Sequence, residues 1–312
     1  MLNLEEAKEK LGELVSSRRL ILFVGSGISV DSGLPTWEGF LDKFIDFCKA
    51  LSSQYRGYNI QDVFQRELFD DATAQKAKNP VHVATVLKNK FENLPQNVRT
   101  NVENDFKRWF FGMFATANFN NKHEIIVGTD YPYILTSNYD LLLEDAQKSL
   151  GSPYSTLSFH QKELIAEALY LKSPAIIHVH GQCSDVVLDR IILTSEDYVR
   201  IIKKGVPGFS FAIQSLFLTY SALFVGYGAS DPHLEDLIEE FSYFFDFPKS
   251  PNISRNFLVV TKKRAGRILN DYKERMRTDL VVIDDFSQYE ELLAHLQKCA
   301  PRQPELPLDY QS

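Results

Sequence analysis

Three cysteines in 312 residues, Cys48, Cys183 and Cys299, are few and far apart. No two are spaced C-x-x-C, so neither a zinc ribbon nor a disulfide framework is supported. Nor does any apolar stretch reach the roughly 20 residues that a membrane-spanning helix needs. The charged opening, "MLNLEEAKEKLGELV", has no signal-peptide apolar core, and residence in the cytoplasm is the expectation. Basic excess is missing too. The formal net charge is −7, and the densest basic cluster is the short run Lys262–Arg264. Direct binding to a nucleic-acid backbone, which depends on clustered Lys and Arg, is therefore not expected. No Gly-Lys-Ser/Thr follows the first glycine-rich turn, which excludes a P-loop. There is no internal repeat.

What the chain does have is apolar residues in short, bounded runs. Its apolar content of 44% suits a globular protein with a proper core. "LILFV" at Leu20–Val24 is bounded by Arg18-Arg19 and Gly25, as expected of a strand buried on both faces of a parallel sheet. Similar runs occur in "YPYILTSNYD", "AIIHVHG", "SALFVGYGASDP", "NFLVVT" and "DLVVID". Helical periodicity follows most of them; after the last, Tyr289, Leu292, Leu293 and Leu296 recur at helical spacing. Strands alternating with helices predict an α/β fold with a doubly wound, mainly parallel, Rossmann-like sheet.

Polar residues cluster just past the carboxyl ends of these runs, at the edge where open α/β sheets bind ligands. Gly25, Ser26, Asn138, Asp140, His180 and Gly226 could thus meet at one crevice although far apart in sequence. Gly25-Ser26-Gly27 lacks the third glycine of the dinucleotide fingerprint, so that turn alone leaves nucleotide binding and an ordinary strand-to-helix turn both open. Between about residues 40 and 121 the pattern is helical and aromatic-rich, as in "FLDKFIDFCKAL" and "VENDFKRWFFGMF". This reads as a helical insertion, a lid or second lobe, within a single domain spanning residues 1–300. A proline-rich tail occupies 301–312.

"GSGISVDSGLPTW", "TSNYD" and "HVHG", in that order, resemble the three signature elements of the sirtuin fold. "FVGYGASDP" is similar to its next strand-end element. "ILTSEDY" resembles a segment of the sirtuin-like branch that works in bacterial antiphage defence. The resemblance implies that Gly25, Ser26 and Gly27 receive the phosphates of NAD, with a hydroxyl from Ser29, and that Trp37, Gly226 and Tyr227 lie along the cofactor. By the same resemblance Asn138 and Asp140 position the nicotinamide end and the reacting ribose, and His180 is the catalytic base. The residue types suit this chemistry. A carboxylate stabilises the positive charge that builds on the sugar as the nicotinamide–ribose bond breaks. An imidazole accepts a proton near neutral pH, and an amide can orient a water.

Several of these residues also have a plain structural reading. Ser29, Ser32 and Asp140 could cap the helices that follow them, and Asp231-Pro232 is a helix-start pattern. Thr194 with Asp197 forms a capping-box pattern. His178 reads as packing or support for His180, and His123 reads as a residue of the helix before "YPYILTSNYD".

The departures from deacylase sirtuins matter. Their zinc-binding cysteine pairs are absent, so no zinc is expected, and Thr36-Trp37-Glu38 stands where they carry Asp-Phe-Arg. Gly228 replaces a usual serine, and Thr261 stands where an asparagine is frequent. The resemblance therefore implies an NAD⁺ glycohydrolase that depletes NAD in antiphage defence. The alternatives are an NAD-dependent protein deacylase or ADP-ribosyltransferase, and a non-catalytic NAD or ADP-ribose sensor. Family analogy also implies a homo-oligomer, or control by a separate partner such as a HerA-like ATPase.

Overall fold

The computed structural model describes residues 1–55, 66–75, 80–92, 94–185, 190–197, 199, 207–227, 255–266 and 278–301. Seven parallel strands form one sheet in the order β3-β4-β2-β1-β5-β6-β7. They are β1 (Leu20–Val24), β2 (Tyr133–Thr136), β3 (Ser155–Ser158), β4 (Ala175–His178), β5 (Ser221–Val225), β6 (Asn256–Thr261) and β7 (Thr278–Ile283). Each apolar run of the sequence is a strand, as expected. β3 is the addition. "STLS" lies at the sheet edge against β4 alone, with its first two residues exposed, so it never needed an apolar run.

Strand alternation splits the apolar side chains into two cores. Ile21 and Phe23 face a layer made by α8 (Lys162–Leu171) and α9 (Pro207–Thr219). Leu20, Leu22 and Val24 face α1 (Leu4–Ser16), α6 (Asn121–Val127), α7 (Leu142–Leu150) and α10 (Gln288–Cys299). Every residue of β1 is fully buried, the signature of a central parallel strand covered on both faces. α1 starts cleanly because Asn3 and Glu6 form a reciprocal capping box.

A third core belongs to the insertion. α2 (Trp37–Gln54), α3 (Arg66–Gln75), α4 (Pro80–Glu92) and α5 (Gln96–Phe114) bury Phe40, Phe44, Phe91, Phe106 and Phe110 together. Their rings stack edge-on and face-on at centroid separations of 5.6–6.0 Å between Phe44–Phe91, Phe44–Phe106, Phe106–Phe110 and Phe40–Phe110. The aromatic content of this segment is thus core. The insertion is pinned at its far side by Lys88, whose ammonium meets the Asp197 carboxylate in a buried ion pair. Asp197 also closes the capping box anticipated for Thr194. Its carboxylate accepts from the amides of Leu193 and Thr194, and its own amide donates to Thr194 Oγ1 at 3.0 Å.

β1 and β5 pair in full register, so the turns that leave them lie side by side. The Gly25 amide donates to the Val225 carbonyl, and the Gly27 amide to the Gly226 carbonyl, each at 2.9 Å. Gly226 itself takes φ 63°, and a Cβ there would sit 2.6 Å from the Ile28 amide nitrogen. Gly228 and Asp231-Pro232 fall outside the described residues, as does the chain beyond Pro301.

Gly33 supplies the control. It has φ 84°, but a Cβ there meets nothing within 4 Å. Gly33→Ala should cost only the left-handed backbone strain, about 1–2 kcal/mol. Gly226→Ala should cost clearly more in denaturant unfolding. Equal losses would show that the contact with the β1 turn does not require glycine.

Candidate functional site

The carboxyl edges of β1, β2 and β4 bring the predicted site residues together. Beyond β2, Thr136 Oγ1 donates to the Val24 carbonyl and accepts the Asn138 amide at 3.1 Å, folding the chain back over β1. Asn138 Nδ2 then donates to Ser29 Oγ at 3.2 Å. Asp140 lies two residues on, buried, with its Oδ1 accepting the Leu142 amide at 3.2 Å and the Ser29 hydroxyl near enough to favour its ionised form. Asp140 thus bonds the first residue of α7 from one position before the N-cap, Leu141, and does not itself cap the helix. Ser29 makes no side-chain cap; its hydroxyl meets Asn138 Nδ2 and His123 Nε2 instead.

The β2 and β4 loops are stitched to one another. The Val179 amide donates to the Thr136 carbonyl at 2.9 Å and the Cys183 amide to the Tyr139 carbonyl at 2.7 Å. Between these two ties stands His180, half-buried, whose carbonyl accepts the Ile192 amide at 3.0 Å. Tyr139, between Asn138 and Asp140, sends its ring to Phe110 in the insertion at 5.1 Å and its hydroxyl to the Ile192 carbonyl at 2.6 Å.

Beneath this edge is a buried pair that the sequence did not announce. His178 Nε2 meets Glu144 Oε1 at 2.9 Å, and His178 Nδ1 meets the Asn138 carbonyl at 3.0 Å. Burial by itself would lower the affinity of this imidazole for a proton. The Glu144 carboxylate and the carbonyl outweigh it, so the pKa of His178 is raised. His178 thus anchors the backbone of Asn138, whereas the support expected of it was for His180. Glu144 gave no sign in sequence because it sits in the helical "LLLEDA" among apolar neighbours.

Burial pushes Asp140 up to about 6, only partly offset by the bonds from Leu142 and Ser29. Cys183 is pushed up to about 12, again by burial, and is no candidate nucleophile at neutral pH. Among the described residues no cluster of three or more His, Cys, Asp or Glu could hold a metal ion, and no helix is long and apolar enough to cross a membrane.

The residues expected along the cofactor divide. Ser26 is half-buried and Gly27 exposed at the crevice, with Gly226 against them. The amides of Gly25 and Gly27 are already engaged by β5. Tyr227 turns its ring into the core, 5.8 Å from Phe23 and 5.7 Å from Phe224. Trp37 opens α2 and stacks on Phe40 at 5.2 Å, within the insertion.

Of the several buried side-chain atoms left without a hydrogen-bond partner among the described residues, one is the side-chain oxygen of Asn138. Buried polar atoms are nearly always paired, so an unpaired one at this edge is a candidate contact for a polar ligand.

Asp140 yields a test. Because its folded pKa is raised above the unfolded carboxylate value, the native state holds the proton longer, and stability falls as pH rises between about 4 and 6. Asp140→Asn keeps an oxygen for the Leu142 amide and removes that fall. It should be as stable as wild type or more so at pH 7.5, by up to ~3 kcal/mol, in urea unfolding across pH. A variant clearly less stable than wild type at pH 7.5 would contradict a carboxylate held at a cost.

Comparison with known proteins supplies a context for this geometry. Residues 132–280 match the model of the SIR2-like domain. The chain is 23% identical over 239 residues to defense-associated sirtuin 2 of Bacillus subtilis, covering 76% of this chain and 20% of that protein. It is 20% identical over 322 residues to the NAD(+) hydrolase ThsA of Enterococcus faecium, covering 93% of this chain and 57% of that protein. This chain therefore spans a fifth of one relative and little more than half of the other. A solved structure of a substituted Sir2 homologue, in complex with 2′-O-acetyl ADP ribose, aligns over 96% of this chain and 99% of its own at 14% identity and TM-score 0.40. The match to the SIR2-like domain covers a little under half of the chain, and it is to this domain that the chain is similar.

Proposed function

We propose that this sirtuin-like chain is an NAD⁺ glycohydrolase, converting NAD⁺ and water to ADP-ribose and nicotinamide. The observation that carries the reading is the buried, unpartnered oxygen of Asn138, set beside Asp140 at a strand-end crevice. The similarity to a protein named as an NAD(+) hydrolase supports it.

Each residue has a distinct task in the proposed reaction. Asn138, fixed through Ser29 and through the His178 bond to its carbonyl, hydrogen-bonds the ribose or the attacking water. The Asp140 carboxylate offsets the positive charge that develops on the sugar, an effect strengthened because it is enclosed. His180, on the neighbouring loop, takes the proton released when water adds. The outer side of the Gly25–Gly27 turn, where Ser26 is half-buried and Gly27 exposed, is where the pyrophosphate would lie. Closure of this edge by the insertion keeps bulk water from the cation.

The similarity to a defence-associated sirtuin extends the proposal to depletion of NAD during infection. Such an effector must be restrained, by self-association or by a separate partner such as a HerA-like ATPase. Full activity of an isolated monomer would overturn that extension.

Nicotinamide release from NAD⁺ by the purified chain is the direct test. His180→Ala should lose about 10²–10⁴-fold in turnover, and Asn138→Ala at least about a hundredfold, with NAD binding retained in the former. Bound but uncleaved NAD in wild type, with no nicotinamide under any condition, would replace the hydrolase with a sensor. Turnover only with an acyl-lysine peptide would replace it with a deacylase.

A further inference from the structure

His123 is wholly buried on α6, in the layer that covers one face of the sheet, yet its ring reaches the strand-end cluster. Its Nε2 lies 3.3 Å from Ser29 Oγ, the same hydroxyl that Asn138 Nδ2 contacts at 3.2 Å and that lies near the Asp140 carboxylate. Nothing in the local sequence requires this. As the third residue of its helix His123 completes a capping box with Asn120, a role that several residue types would fill without touching Ser29.

The hydrogen-bond inventory of Ser29 is restrictive. A hydroxyl has one proton to give and two lone pairs. With the proton given to the Asp140 carboxylate, both lone pairs must receive donors. Asn138 Nδ2 supplies one, and the Nε2–H of a neutral His123 supplies the other. The other ring nitrogen does not compete. Nδ1 has the Asn120 amide N–H at 3.2 Å and Asn120 Oδ1 at 3.0 Å, so Asn120 can serve either tautomer. Ser29 therefore decides the tautomer, and His123 in return decides where the Ser29 proton points. Burial, with the adjacent Lys122 ammonium, pulls His123 down to about 4 and keeps it neutral, as this arrangement requires. Asn120 also holds the turn from the other side, donating to the Ile28 carbonyl at 3.3 Å and to Ser32 Oγ at 3.0 Å.

We propose that His123 is a positioning residue of the site: through its hydrogen bond to Ser29 it aims that hydroxyl at Asp140 and holds the Asn138 amide group in place for a ribose-bearing ligand. The proposal rests on the reading of this edge as an NAD or ADP-ribose site and adds to it a residue from a separate layer of the fold. His123 need not touch the ligand. Its effect travels through one hydroxyl to two side chains.

Four proteins test it: wild type, His123→Leu, His123→Gln and Ser29→Ala, with the His123→Leu/Ser29→Ala double variant to close the cycle. Glutamine offers an amide N–H to Ser29 at similar reach. Leucine offers none. Nicotinamide release gives kcat and KM, calorimetry with ADP-ribose gives binding, and thermal unfolding separates folding from function.

The expected result is a fall of about tenfold or more in kcat/KM for His123→Leu, the value of one misdirected buried hydrogen bond. It should be matched by Ser29→Ala, with no further loss in the double variant. Rescue in His123→Gln should occur even if both His123 variants melt at the same lower temperature. A purely structural histidine would give losses that follow melting temperature and add in the double variant, and that outcome overturns the proposal.

Inactivity of wild type toward NAD overturns the hydrolase reading alone, because the same cycle is then read from ADP-ribose affinity. Coupled losses of affinity would sustain the positioning role, and additive or absent losses would overturn it. If wild type neither cleaves NAD nor binds ADP-ribose, both fall together.

Discussion

The site depends on how closely two backbones approach at the carboxyl ends of β1 and β5. Gly27 donates to the Gly226 carbonyl at 2.9 Å, and a Cβ on Gly25 would lie 2.6 Å from that same oxygen. Side chains on either turn would hold the strands' exits apart. With them in contact, the chain after β1 is drawn across the sheet edge, and Ser29 arrives beneath Asn138 instead of capping a helix. Glycine at this turn thus serves the protein's own packing before it serves any ligand. That distinction matters for reading such motifs, because two of the amides that a phosphate might be expected to use already belong to β5.

This also explains which parts of the fold could be read from the sequence. A strand buried on both faces must be apolar throughout, so β1, β5 and β6 stood out as uninterrupted runs. β3 did not, because an edge strand half in solvent can be written with Ser and Thr. Asn138, Asp140 and His180 were legible because each closely follows a run that ends at the ligand edge. Their supports were not. Glu144 and His123 lie on helices from which they reach the site only after the sheet has formed, and no local spacing encodes a tertiary contact. The likeness of "ILTSEDY" to a family segment was legible, and its job here is architectural, tying Asp197 to Lys88.

Cost runs through the arrangement of the polar groups. A buried network is favourable when every member is paired, and costly when one is not. Here His178 is fully served by Glu144 and the Asn138 carbonyl, whereas Asn138 Oδ1 and Glu144 Oε2 have no partner among the described residues. Asp140 is enclosed to the point that its ionised form is disfavoured near pH 6. These are places where the folded state is held away from its most stable form. A ligand that supplied the missing hydrogen bonds and a positive charge would relieve them together. In the proposed reaction positive charge moves from the nicotinamide ring onto the sugar beside Asp140, so the carboxylate would favour the oxocarbenium-like state over the ground state.

Among the side chains through which the insertion meets this edge is Tyr139. Tyr139 separates Asn138 from Asp140 in sequence, and its ring is clamped by Phe40, Phe110 and Phe114. Any shift of the aromatic layer therefore pulls on the peptide unit that carries both site residues. Asn138 is restrained from the opposite side by Ser29 and His178, neither of which belongs to the insertion. The two restraints meet across one residue. A helical layer with its own core thus bears on the position of an amide and a carboxylate through ring packing against Tyr139.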